Sequence, residues 1–303
     1  MTPKSFGLAK MVAVTAALVI LFARPISDLA RVSMSSDLYS YIPLVPLISA
    51  FLVWTKRRAL PSVFVPAPRL ALIPLSAGLL LLASYWGARG MGWTPEASDY
   101  LALMILSLIA LMAAGCLFIL GEATLRAIAF PGAFLLFAAP IPSRLHDWIE
   151  QWLQYASADA AHLMFSVSGT ALFRQGLVFH LPGFVFEVAP ECSGIHSTLV
   201  LFITALLAGY LLLRTNSRRA LLVLAVIPVA LLRNGLRIFI IGELCTHIGP
   251  EMIDSYIHRH GGPIFFVLSL VPLYFCLAVL QKSEFRKAAR GGTHSAPRTE
   301  SPS

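Results

Sequence analysis

The chain is poor in charge. Asp, Glu, Lys and Arg make up 13% of its 303 residues and hydrophobic types 57%, whereas a soluble domain carries roughly 25% charge. That shortage excludes an ordinary soluble protein and leaves the integral membrane class. Cysteine is scarce as well. Cys116, Cys192, Cys245 and Cys276 show no CxxC spacing, which argues against a disulfide framework. Cys116 and Cys276 lie inside apolar runs and read as buried, inert thiols. There is no internal repeat, and no low-complexity tract before the tail. No basic face is interleaved with aromatics, so the net charge of +8 does not point to nucleic acid as a partner. The partner it points to is the lipid bilayer.

What the sequence does have is a series of long apolar runs. A helix needs about 20 apolar residues to cross the hydrocarbon core. Eight runs are candidates, centred on residues 9–23, 39–54, 70–86, 99–120, 127–141, 194–213, 220–240 and 263–281; the first, second and fifth are short, and one re-entrant run would make the count seven. The first follows Lys4 and Lys10, but Ala23-Arg24-Pro25 is a poor cleavage site, so it reads as a retained span and not as a signal peptide. Eight crossings place both termini on one side. Most Lys and Arg fall in that side's loops, including Lys56-Arg57-Arg58, Arg69, Arg126, Arg214, Arg218, Arg219 and the tail; of the acids only Glu122, Glu284 and Glu300 do. The positive-inside bias makes that side cytoplasmic. The expected fold class is therefore all-α integral membrane. It is a single polytopic domain over residues 1–281, followed by a disordered cytoplasmic tail, 282–303, rich in Arg, Gly, Ser and Pro.

The largest outer segment runs from about Pro142 to Pro190. From Ser143 to Phe165, Leu145, Trp148, Ile149, Trp152 and Leu153 recur at helical spacing with polar residues between them. That pattern predicts an amphipathic helix lying at the outer interface. Ser168-Gly169-Thr170 ends it. Gly176–His180 and Phe184–Val188, separated by Leu181-Pro182-Gly183, predict a small β-hairpin that leads to Pro190-Glu191-Cys192.

Three clusters carry chemistry. Cys192 in Glu191-Cys192-Ser193-Gly194-Ile195-His196 opens a span, where a helix N-terminus favours a thiolate. The amides of Ser193 and Gly194 are placed to hold an oxyanion. The plain alternative is a small residue at a helix cap. Arg233 and Arg237 in Leu232-Arg233-Asn234-Gly235-Leu236-Arg237 share a helix face. Charge there is costly unless it faces a polar interior or snorkels to the headgroups. His258-Arg259-His260 precedes the last span and offers imidazoles suited to acid–base work, or merely interfacial residues. The three clusters sit at the outer ends of consecutive spans, so Cys, Arg and His meet at one depth. A thiol nucleophile needs a base and a charge stabiliser, and this set contains both.

Glu191-Cys192-Ser193-Gly194-Ile195, Asn234-Gly235-Leu236-Arg237-Ile238, and His258 with Gly262 and Phe266 at four-residue steps resemble the exosortase/archaeosortase family. Tyr41 to Arg58 and Phe134 to Pro142 are similar to its early segments. The resemblance covers about residues 38 to 275, with the catalytic part at about 131–281. It implies a thiol protease or transpeptidase in the inner membrane of a bacterium, with the active site facing the periplasm. The implied substrates are tailed proteins carrying a C-terminal sorting signal: a Pro-Glu-Pro-like motif, a transmembrane helix and a basic cluster. Cys192 is then the nucleophile. Arg237 stabilises charge or binds the acidic residue of the motif, and His258 is the acid/base. Glu191, Ser193, Gly194, His196, Arg233, Asn234 and His260 support or substitute. No cofactor and no metal is implied. Two other readings remain: a zinc-dependent membrane peptidase with Cys192, His196, His258 and His260 as ligands, and a transporter with broken, charged helices.

Overall fold

The computed structural model describes residues 3–249, 251–252 and 262–292. His258 and His260 lie outside the described residues. The contacts divide into two compact units, Met1–His146 and Asp147–Ser303. Helix dominates both.

The first unit begins with α1 (Pro3–Leu21) and α2 (Ala23–Ser35), bent by 69° at their junction. Pro25 causes the bend, since it has no N–H to return to the carbonyl one turn earlier and its ring crowds that carbonyl. There follow α3 (Leu44–Thr55), α4 (Pro68–Gly90), α5 (Ala97–Ile119), α6 (Glu122–Ala127) and α7 (Ala129–Phe134), the last continued by a 3-10 turn, Leu135–Ala138. α4 and α5 form the main pair. They cross at Gly78, where a Cβ would lie 3.1 Å from Leu111 Cγ and where Ser107 Oγ donates to the Gly78 carbonyl at 2.8 Å.

The loops of this unit gather at opposite ends of α5. At one end the Ala67 amide donates to Leu117 O at 3.0 Å, and Val65 bridges to Gly121. Gly121 has φ +83°, and a Cβ there would meet Val65 O at 1.8 Å, so no other residue fits. At the other end Asp99 accepts from the Ser143 amide and hydroxyl, both at 2.8 Å, and the Tyr39 hydroxyl donates to Ile141 O at 3.3 Å.

The second unit takes most of α8 (Ser143–Ser168), then strands β1 (Phe173–Gln175), β2 (Val178–Leu181) and β3 (Phe184–Glu187). The sheet is antiparallel in the order β1-β2-β3. The expected hairpin is β2–β3; β1 is an additional strand. A 3-10 turn, Pro190–Cys192, leads to α9 (Ile195–Leu212), α10 (Asn216–Leu224), α11 (Val226–His247) and α12 (Gly262–Gly292). α10 and α11 act as one long apolar segment, Asn216–His247, broken where Pro228 leaves the Leu224 carbonyl without its donor. Two cores result. One joins Ala158, Ala161, Phe165, Phe179, Leu181, Val188 and Ile238. The other joins Leu201, Ala205, Leu213, Leu222, Val226 and Leu273.

Among the described residues, five helices are long and apolar enough to cross a membrane: Pro68–Gly90, Ala97–Ile119, Ile195–Leu212, Asn216–His247 and Gly262–Glu284. The bent α1–α2 pair makes a sixth if it counts as one span. The expected count of about eight is not confirmed. α3 has 12 residues, about 18 Å of helix against a core of roughly 30 Å. The run at 127–141 is interrupted at Ile128 and carries Pro131 and Pro140, so it folds as a short helix and a 3-10 turn. The tail also differs from expectation. α12 continues to Gly292, and Glu284 within it accepts from the Arg214 amide, the Thr215 amide and the Thr215 hydroxyl at 3.0, 2.9 and 2.6 Å. Arg218 lies 3.5 Å from the same carboxylate. Residues 293–303 are outside the described residues.

α8 buries Leu153, Gln154, Ser157, Ala158, Ala161 and Phe165. Trp148, Trp152 and Tyr155 point away from the core. The buried stripe packs on α11: a Cβ on Gly235 would sit 2.7 Å from Ala160 Cβ, and one on Gly242 would sit 2.5 Å from the Phe165 ring. Near the end of α8, Thr170 Oγ1 donates to Glu243 at 2.5 Å. These contacts advance together along both helices.

Candidate active site

Cys192 ends the 3-10 turn that follows the sheet. Its amide donates to Ala189 O at 2.8 Å, and the Ser193 amide donates to Pro190 O at 2.9 Å. Proline at the first position favours such a turn, since its φ is preset and it has no donor to lose. Gly194 then takes φ +72° and caps α9, a left-handed conformation that costs glycine little. Two of its neighbours leave no room for a side chain, as a Cβ would lie 2.9 Å from Asn234 Oδ1 and 3.0 Å from Arg233 Nη2.

α11 grips this turn from behind. Asn234 is 2% exposed, and its Nδ2 donates to the carbonyls of Cys192 at 2.6 Å and Ser193 at 3.2 Å. Arg233 Nη2 reaches Gly194 O and Thr198 Oγ1, each at 3.4 Å. The Nη1 of Arg233 is buried with no hydrogen-bond partner among the described residues. The result is a cation held inside the unit next to the cysteine turn, where desolvation strengthens its field. Arg237 is half-buried one turn further along α11.

The structure therefore brings Cys192, Ser193, Gly194, Arg233 and Asn234 together. Half-buried His196 lies in the first turn of α9, and Glu191 in the 3-10 turn. Cys192 itself is half-buried against the Ala158–Phe165 core, and no disulfide ties it up. The oxyanion expectation needs one change. The Ser193 amide is already used within the turn, and the Ile195 amide reaches Ser193 Oγ at 3.4 Å, which leaves the Gly194 amide from the expected pair. Gln154 was not singled out from sequence. It is buried, and its amide donates to Val188 O just ahead of the turn. Its polar side chain in the small-residue stripe of α8 is the signal that marks it.

His146, Asp147 and Glu150 place ligand atoms within 4.8 Å of one another on α8. That group includes neither Cys192 nor His196, so it lends no support to a zinc site at the thiol.

Asn234 is the test of the grip. Asn234→Ala leaves two carbonyls without their donor and is expected to cost about 1–3 kcal/mol. Asn234→Asp costs more, because it faces two carbonyl oxygens with an acceptor. Thermal unfolding of the purified protein measures the loss. The alkylation rate of Cys192 in both variants reports whether the turn has shifted.

A family model described as transmembrane exosortase matches residues 32–275, against the 38 to 275 expected from the motifs. No curated protein and no solved structure matches the chain.

Proposed function

The chain belongs to the transmembrane exosortase family, and from that premise we propose that it is a membrane thiol peptidase or transpeptidase. It acts on exported proteins that carry a C-terminal sorting signal, at the periplasmic face of the inner membrane. The observation that carries this reading is the cysteine turn. Cys192 closes a 3-10 turn whose carbonyls are fixed by Asn234, with a buried guanidinium from Arg233 beside it.

In this mechanism His258 takes the proton of the Cys192 thiol, the sulfur attacks the substrate carbonyl carbon, and the carbonyl π electrons move to oxygen. Arg237 and the amide of Gly194 hold that oxyanion. The tetrahedral species collapses, the C–N bond breaks, and the leaving amine takes a proton from His258. A thioester remains. Water or an amine then attacks it and releases the thiol, giving hydrolysis or transfer respectively. Arg233 and Asn234 keep the nucleophile's backbone in place.

A tagged reporter ending in a Pro-Glu-Pro motif, an apolar helix and a basic cluster tests the reading by gel shift in cells. The expected result is a shortened reporter beside the wild-type chain and an intact one when the helix is deleted. Intact reporter in both cases, together with uncleaved tailed proteins from the source genome, overturns it.

A further inference from the structure

One cavity lies far along the chain from Cys192, inside the first unit. It is an open groove of about 1090 Å³ between the α1–α2 corner, the last turn of α4 and the first turn of α5. We propose that this groove binds one anionic glycerophospholipid, with the headgroup phosphate held between Arg24 and Arg89.

The charges favour an anion. The Arg24 side chain is exposed and has no hydrogen-bond or ion-pair partner among the described residues. Arg89 gives one N–H to the Tyr85 hydroxyl at 2.8 Å, leaving the rest of its fork open. The carboxylate in the groove, Asp28, lies 3.8 Å from Arg31 and so offsets the two cations only in part. Arg24, Arg89 and Asp28 all lie within electrostatic reach of the Tyr100 hydroxyl. Helix ends do not decide the sign, since α2 and α5 begin at this groove while α1 and α4 end there; the arginine side chains do.

The walls favour a lipid over a soluble anion. Phe22, Tyr85 and Met104 form a buried apolar floor, while Trp86 stands 65% exposed at the rim. Trp and Tyr beside arginine at the end of spanning helices mark headgroup depth. Leu21, 73% exposed, continues the apolar wall toward the hydrocarbon. A ligand with one anionic head and an apolar chain satisfies both parts. Lipid binding here does not depend on the thiol chemistry.

The test uses the purified full-length chain in nanodiscs and native mass spectrometry. The wild type is expected to retain one phosphatidylglycerol over phosphatidylcholine by about tenfold. R24Q/R89Q should lose that preference, and R31Q, changed on the same helix, should keep it. Brominated phosphatidylglycerol should quench the tryptophan fluorescence of the wild type, and the part of that quenching lost in R24Q/R89Q should be the part lost in W86F/W93F. Equal retention of the two lipids by the wild type, or an undiminished preference in R24Q/R89Q, overturns the proposal. Full displacement by inorganic phosphate assigns the site to a free anion and overturns it equally.

Discussion

Cys192→Ala abolishes cleavage of a tailed reporter, with an expected loss of about 10³-fold or more, while the protein stays folded. The two halves of that result have separate causes. The loss follows from the chemistry, since no other side chain in the turn supplies a comparable nucleophile. The retained fold follows from the geometry. Two bonds that shape the turn at this residue use its main-chain atoms: the Cys192 amide donates to Ala189 O, and the Cys192 carbonyl accepts from Asn234 Nδ2. Alanine keeps both, so stability should shift by less than about 1.5 kcal/mol. Cys192→Ser also fails, because a hydroxyl lacks the thiol's easy ionisation. Gel shift and thermal unfolding on the same preparations check the two halves. A processed reporter beside the alanine variant takes Cys192 out of the mechanism.

Gly235→Val has the largest expected structural effect. A Cβ at this position would lie 2.7 Å from Ala160 Cβ, 3.0 Å from Ala161 N and 3.1 Å from Ala160 C. Two of these are backbone atoms and cannot rotate aside, so α8 and α11 must part. Overpacking of this kind costs about 1–3 kcal/mol, occasionally more. Gly235 follows Asn234 directly, so the same displacement pulls the amide from the carbonyls of Cys192 and Ser193 and should suppress cleavage. Gly87→Ala is the control, since a Cβ there meets nothing within 4 Å. It should be neutral or gain up to about 1 kcal/mol from helix propensity. Unfolding midpoints that coincide for the two variants would exclude the close crossing as the cause.

The sequence was most legible where a signal is continuous. The uninterrupted runs of α4, α5 and α9 were readable as spans, and the cysteine motif was readable because its turn is local. Legibility failed where the deciding contact is remote. Composition alone counts 127–141 as a span, but the break at Ile128 with Pro131 and Pro140 divides it. Strand β1 was hidden because it carries a charge, Arg174, which the fold accommodates by a 2.6 Å bond to Asp159 and by placing it over the Phe179 ring. The crossing of α8 on α11 joins residues 75 apart in sequence, Ala160 and Gly235, and no periodicity within either helix reveals it. The site followed the same rule. The Cys192 and Asn234 motifs were both visible, but the hydrogen bonds between them, and the loss of the Ser193 amide to its own turn, required coordinates.

Glu284 sets a practical boundary for anyone who wants to handle this protein. It accepts bonds from the link between α9 and α10 at Arg214 and Thr215, so the C-terminal helix works as a latch on that link. A purification tag or fluorescent fusion attached right after the last apolar stretch would cut the latch off, and the loss would be mistaken for intolerance of fusions in general. The safe junction lies well beyond Glu284, so that its bonds to Arg214 and Thr215 are kept.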